Sequence, residues 1–159
     1  MLLERSQTWD VRSLTAVHGK FLTPNVIVQR KALSPSARRA GWVGCNIRLD
    51  LIAADAQISV VENGRPSEPD VVRAAFWQFN RLGDLSLKAR GWATLTLRMI
   101  RNLGADAFSL DDLYHRELDF SVAYPMNRNV RAKIRQQLQV LRDLGYVEFR
   151  GRGTYRLLI

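Results

Sequence analysis

Arg128, Asn129, Ala132, Arg135, Gln136 and Gln139 are spaced so that, at about 100° per residue, they fall on one side of a helix. Arginine, asparagine and glutamine can make paired hydrogen bonds to guanine or adenine edges, and a helix fits the major groove of B-form DNA. Ala132, small and central, would let the backbone come close. Arg131 and Lys133 stand beside this face. Further on, Arg150, Arg152 and Arg156 surround the glycine turn Gly151-Arg152-Gly153, where they could meet phosphates or an adjacent minor groove. Together these residues are candidates for binding double-stranded DNA. The plainer alternatives are a solvated basic face on a structural helix, or a winged helix that makes only protein contacts. A second candidate group is Arg38, Arg39 and Trp42, with Gly41 and Gly44 around the ring. Such a segment either packs on itself or brings an aromatic and two cations against a nucleic acid.

Hydrolytic chemistry is harder to place. A metal-dependent nuclease needs carboxylates for the ion and often a lysine beside the attacking water, commonly as acid-x-Lys. The residues two before Lys20, Lys31, Lys88 and Lys133 are His18, Gln29, Ser86 and Arg131, so that pattern is absent. Asp50, Asp55 and Asp70 are the remaining candidate acids, with ordinary surface carboxylates as the simpler reading. There is no glycine-rich phosphate loop carrying a lysine, no His-Glu-x-x-His and no serine elbow. One cysteine, Cys45, excludes an internal disulfide and any multi-cysteine zinc site, and with no histidine or asparagine placed to activate it, it reads as a small buried hydrophobe. No catalytic residue, metal ligand or cofactor is assigned.

The 159 residues carry 24 Lys+Arg against 15 Asp+Glu, a formal charge of +9, which points to a polyanionic partner. The charge is uneven: no acid falls between Val11 and Leu49, and from Asn127 onward eight basic residues face only Asp143 and Glu148. With 47% hydrophobic residues a core is affordable. No stretch resembles a signal peptide or approaches the ~18 apolar residues of a spanning helix, so a cytoplasmic location is expected.

The elements that must position these groups are legible in part. Trp9, Val11, Leu14 and Ala16 suggest a strand, and Thr23-Pro24 a helical turn. Residues 58–61 form a second strand ending in the Asn63-Gly64 turn, and Pro69 opens a helix with Val72, Ala75, Phe76 and Phe79 inward and Trp77 beside them in the core. Leu82-Gly83 closes that helix, and residues 83–90 read as a linker. A helix over 92–102 with Trp92 inside then ends at Gly104. Ser109 caps a short helix with Leu113 and Leu118 on its apolar edge. A third helix over 129–144 buries Val130, Ile134, Leu138 and Leu141 and stops at Gly145. A hairpin follows. Three helices and a two-stranded wing give a winged helix-turn-helix, and the fold class is α+β: a partial α/β nuclease-like segment over 1–87, then a winged helix over 88–159.

Several stretches resemble the Dam-replacing family of restriction endonucleases, the DpnI-like enzymes. They are Phe21-Leu22-Thr23-Pro24, Gln29-Arg30-Lys31, residues 37–47, Arg90-Gly91-Trp92, residues 133–139, Leu141-Arg142-Asp143 and residues 148–153. The resemblance covers nearly all of the chain from about Lys20. It implies an Asp…Glu-x-Lys nuclease domain using magnesium and holding a structural zinc on four cysteines, then a winged helix. It also implies cleavage of adenine-methylated GATC, with Trp42 at the adenine methyl groups and the third helix as a second reader. The zinc cysteines and metal-binding acids of the family would fall before Met1. The expectation is therefore a fragment, a late-start product or a truncated gene, with DNA reading retained and a nuclease half supplied elsewhere. A winged-helix transcriptional regulator, indifferent to methylation and dimeric, is the competing reading.

Overall fold

A computed structural model describes residues 1–5, 7 and 10–159. The N-terminal part is built on an antiparallel four-stranded sheet of order β1-β2-β5-β6: β1 (Leu2–Arg5), β2 (Val11–Val17), β5 (Gln57–Glu62) and β6 (Arg65–Pro66). The expected first strand is β2; Trp9 lies outside the described residues. Asn63 and Gly64 both take positive φ, 51° and 77°, as the tight turn between β5 and β6 requires. The segment between β2 and β5 contributes a separate hairpin, β3 (Ile27–Gln29) with β4 (Cys45–Ile47). Helix α1 (Pro69–Trp77) opens at Pro69 as expected, and a 3-10 turn over Asn80–Asp84 leads out of it.

Helix α2 (Leu87–Arg101) begins the winged helix, capped by the Ser86 hydroxyl, which accepts from the Ala89 N–H. Then follow β7 (Ala107–Ser109), α3 (Leu110–Tyr114), α4 (Glu117–Ala123), α5 (Val130–Asp143), β8 (Val147–Gly151) and β9 (Thr154–Leu157). The wing is thus a three-stranded sheet of order β7-β9-β8. Ser109 and Asp112 form a reciprocal capping box that starts α3, satisfying two orphan N–H groups.

Four expectations need correction. Residues 83–90 are not a linker: Leu82 is fully buried, α2 starts at Leu87, and one hydrophobic cluster runs from Phe21, Val26, Phe79 and Leu82 through Trp92 and Leu97 to Ile134 and Leu141. The short helix after Ser109 is two helices, because the chain turns at His115–Arg116; Phe120 is therefore the residue that enters the core and Leu118 points out. Trp77 is 62% exposed, since α1 ends there and only Phe79, beyond it, turns inward against Phe21. Cys45 is exposed, because the β3–β4 hairpin has no layer packed over it.

Trp92 is the centre of the C-terminal core. Its ring stacks on Tyr124 at 4.1 Å and 13° and lies nearly parallel to Phe120 at 6.1 Å. Tyr124 reaches this position across Gly91: its hydroxyl oxygen lies 2.6 Å from where a Cβ on residue 91 would sit. A methyl group there cannot be accommodated without moving the ring. We therefore expect Gly91→Ala to destabilise the protein by about 1–3 kcal/mol in urea unfolding, as overpacking does, and Tyr124→Phe in the same chain to recover most of it. Helix propensity alone would stabilise Gly91→Ala by about 1 kcal/mol. A gain of that kind would refute the close approach.

Candidate nucleic-acid interface

Helix α5 is held from one side. Val130, Ile134, Leu138 and Leu141 are buried, as their spacing predicts, and Gln137 is buried among them. Gly145, at φ 77°, ends the helix, and Tyr146 and Val147 return to the core. The opposite side is open: Arg128, Asn129, Ala132, Arg135, Gln136 and Gln139 are all exposed. Asn129 is set by the preceding turn, where Asn127 Oδ1 accepts the Asn129 N–H at 2.8 Å. Arg128 and Arg135 make no ion pair among the described residues, so their guanidinium forks are unspent. Asp143 ends the face and is bound by its neighbour Arg142 at 2.9 Å, which leaves the first three turns free of acid.

Arg131 and Lys133 occupy the two flanks. Arg131 Nε donates to Glu117 Oε2 at 2.7 Å, and its guanidinium lies 5.0 Å from the Tyr114 ring centroid. The carboxylate keeps Arg131 firmly protonated, mainly through that hydrogen bond. Its charge already has a partner. Lys133 turns the other way, donating to Gln136 Oε1 at 2.7 Å with its ammonium 5.7 Å from the Trp92 ring centroid.

The wing supplies a second basic edge. Gly151, Arg152 and Gly153 have φ of 95°, 48° and 74°, so the turn is left-handed throughout and drives Arg152 outward at its tip. A non-glycine residue held at positive φ is uncommon. Leu110 N–H donates to Gly153 O at 2.8 Å, which fixes this turn against the start of α3. Arg150 is paired with Glu148 at 3.2 Å, while Arg156, opposite Glu148 in the strand register, is exposed.

Arg38, Arg39 and Trp42 lie at the end of the β3–β4 hairpin. Backbone bonds from Arg30 N–H to Gly44 O (2.9 Å) and from Leu33 N–H to Trp42 O (2.9 Å) extend the hairpin outward. Trp42 is 54% exposed, and its six-membered ring sits 3.0 Å from where a Cβ on Gly44 would be. The loop folds back so that the indole covers Gly44, while the ring still presents half its surface to solvent beside Arg38 and Arg39.

The three candidate acids do not assemble. Asp50 is paired with Arg48, which lowers its pKa chiefly through the side-chain hydrogen bond; Asp55 is paired with Arg101 at 2.6 Å; Asp70 is paired with Arg73. They sit in separate elements, and among the described residues no three His, Cys, Asp or Glu cluster as a metal site. The residues present thus do not fit the family's magnesium centre, and the single cysteine does not fit its zinc site. Among the described residues, no helix is long and apolar enough to cross a membrane.

Sequence reasoning missed Lys88 and Asn127. Residues 83–90 read as a linker, so Lys88 had no face to belong to; it lies in the first turn of α2, and with Asn127 it lines a cleft of about 280 Å³ over Trp92 and Tyr124. Burial raises the Tyr124 hydroxyl to about 12, so it stays protonated and neutral there.

Comparison with known families agrees with this architecture. Residues 1–84 match the model described as the Dam-replacing family, and residues 88–157 match that of the Dam-replacing HTH domain. With both matches in chain order and almost every residue covered, this DNA-binding chain belongs to the Dam-replacing family.

Proposed function

We propose that the chain reads adenine-methylated GATC in duplex DNA as part of a DpnI-like restriction system. The observation that carries this reading is the open face of α5: two unpaired arginines, an asparagine and a glutamine around Ala132, on a helix locked from behind by its core. Helix α5 would lie in the major groove, with Arg128, Asn129, Arg135 and Gln136 at base edges. Arg152 at the wing tip, with Arg150 and Arg156 behind it, would meet phosphates or the neighbouring minor groove. Arg38 and Arg39 would approach the backbone beside Trp42, whose exposed indole would cover an adenine methyl group. That methyl replaces a donor hydrogen with apolar surface, and its burial is worth on the order of ~1 kcal/mol.

Fluorescence anisotropy with a short GATC duplex, plain or fully adenine-methylated, at two salt concentrations tests this directly. Tighter binding to the methylated duplex that persists at higher salt is expected. Equal affinities that collapse together with salt would mean phosphate contacts alone, and would remove methylation from the reading. Trp42→Ala should reduce the preference for methylated DNA about fivefold, equivalent to the ~1 kcal/mol of one buried methyl, while leaving binding to the plain duplex nearly unchanged. If discrimination survives that change intact, the indole does not read the methyl.

The geometry also ranks two arginines that composition alone treats alike. Arg135→Ala should weaken specific binding by about 1–3 kcal/mol, the range for a bidentate base contact. Arg131→Ala should cost well under half as much, because Glu117 already holds that charge. Equal losses in the same titration would contradict the separate placement of the two side chains.

A further inference from the structure

Three clefts follow one another beside α5. The first is lined by Pro24, Asn25, Lys88 and Tyr124 among others; the second shares Lys88 and Tyr124 with it and continues over Trp92 to Asn127; the third shares Asn127 and continues to Asn129, Ala132 and Gln136. They form a groove that leaves the open face of α5, passes the first turn of α2 and reaches the 3-10 turn at Pro24–Val26. No acid lines any of the three, and none lies in the first turn of α2. Lys88 is exposed and makes no ion pair or side-chain hydrogen bond among the described residues. Asn127 spends its Oδ1 on the Asn129 N–H, so what it retains are amide donors. Lys133, over the Trp92 ring, stands where the open face passes into the groove.

We propose that this groove takes the sugar–phosphate backbone of the duplex beyond the bases read by α5, with Lys88 and Asn127 as its phosphate contacts. A cation and amide donors with no acid among them suit a phosphate, whereas an acceptor-rich groove would not. Asn127 lines both the cleft on the open face of α5 and the cleft over Trp92, so the groove is continuous with the face that would meet the bases. The ring of Trp92 and the neutral Tyr124 give the groove a rigid floor, so the contact is positional and carries no sequence information. It rests on the reading of α5 as the recognition helix, and it extends that site from the turn before α5, through Asn127, to the first turn of α2 at Lys88.

The test is the salt dependence of binding by the full chain with Lys88→Gln. Lys88 is exposed, so folding is not at stake. The expected result is a loss of on the order of tenfold at low salt, equal for methylated and plain duplexes, with the slope of log affinity against log salt reduced by about one. Lys88→Arg should restore both. Replacing single phosphates flanking GATC by neutral methylphosphonates should weaken the wild type at one position that is silent in Lys88→Gln. If Lys88→Gln leaves affinity and slope unchanged while Arg135→Ala weakens binding, the groove is wrong and the α5 reading stands. A change in methyl preference on Lys88→Gln would show a base contact and overturn the backbone assignment. If the wild type binds neither duplex, both readings fall.

Discussion

The stack of Trp92 on Tyr124 is the contact on which the placement of α5 depends. Tyr124 closes α4, five residues before Asn129 at the N-terminal boundary of α5, so fixing its ring fixes where the connection releases the chain. The stack forms because α2 has a glycine at residue 91 and Tyr124 can lie against the bare helix backbone. A helix interior glycine costs about 1 kcal/mol in propensity; here that cost is offset by the stacking of the half-buried Tyr124 ring on the buried Trp92. Arg101 at the other end of α2 donates to Asp55 and to the backbone oxygen of Ile159, tying the first unit and the last residues to the same helix. Helix α2 is therefore the common support of both halves, and the open face of α5 is carried by the same helix that anchors the N-terminal part.

Charge is sorted around that support. The acids that could have neutralised the open side of α5 and the wing are drawn elsewhere: Glu117 to Arg131, Asp143 to Arg142, Glu148 to Arg150, and Asp111 and Asp112 to the first turn of α3, where the helix dipole favours them. Pairs as exposed as these add little stability. Their consequence is spatial: among the described residues Arg128, Arg135, Arg152 and Arg156 have no carboxylate within ion-pair distance, which leaves free positive charge on the open face of α5 and on the wing.

Much of the C-terminal half was legible because its signals are local and agree with one another. The 3.6-residue stripe Val130, Ile134, Leu138 and Leu141 fixed which side of α5 faces out, and the stop at Gly145 and the Gly-Arg-Gly wing turn are set by backbone conformations that glycine permits. The break at His115–Arg116 was not legible, because Leu113 and Leu118 fit one helix as well as two; only the burial of Phe120 separates them. Trp77 and Cys45 were misplaced for a related reason. Residue type suggested burial for both, but burial depends on whether another layer covers the element, and α1 and the β3–β4 hairpin are covered on at most one side. The place of Lys88 at a cleft was not legible, because it depends on where α2 begins and on Tyr124, 36 residues later, packing over Gly91.

These differences in support bear on how a methyl group could be distinguished at all. One buried methyl is worth only ~1 kcal/mol, a small margin beside the total for several phosphate contacts. Such a margin is retained only where the contacting group is already held, since ordering a loose side chain or segment costs about as much. Helix α5 meets that condition, with four apolar anchors behind its open face. The hairpin carrying Trp42 meets it locally: the indole is braced against Gly44 and its neighbours are paired across the strands, although the hairpin as a whole projects uncovered. A methyl contact from Trp42 therefore depends on the short-range brace between residues 42 and 44, while a contact from α5 depends on the entire core around Trp92. On the proposed reading, disturbing the core would affect all DNA binding together, whereas disturbing the brace would affect only discrimination of the methyl group.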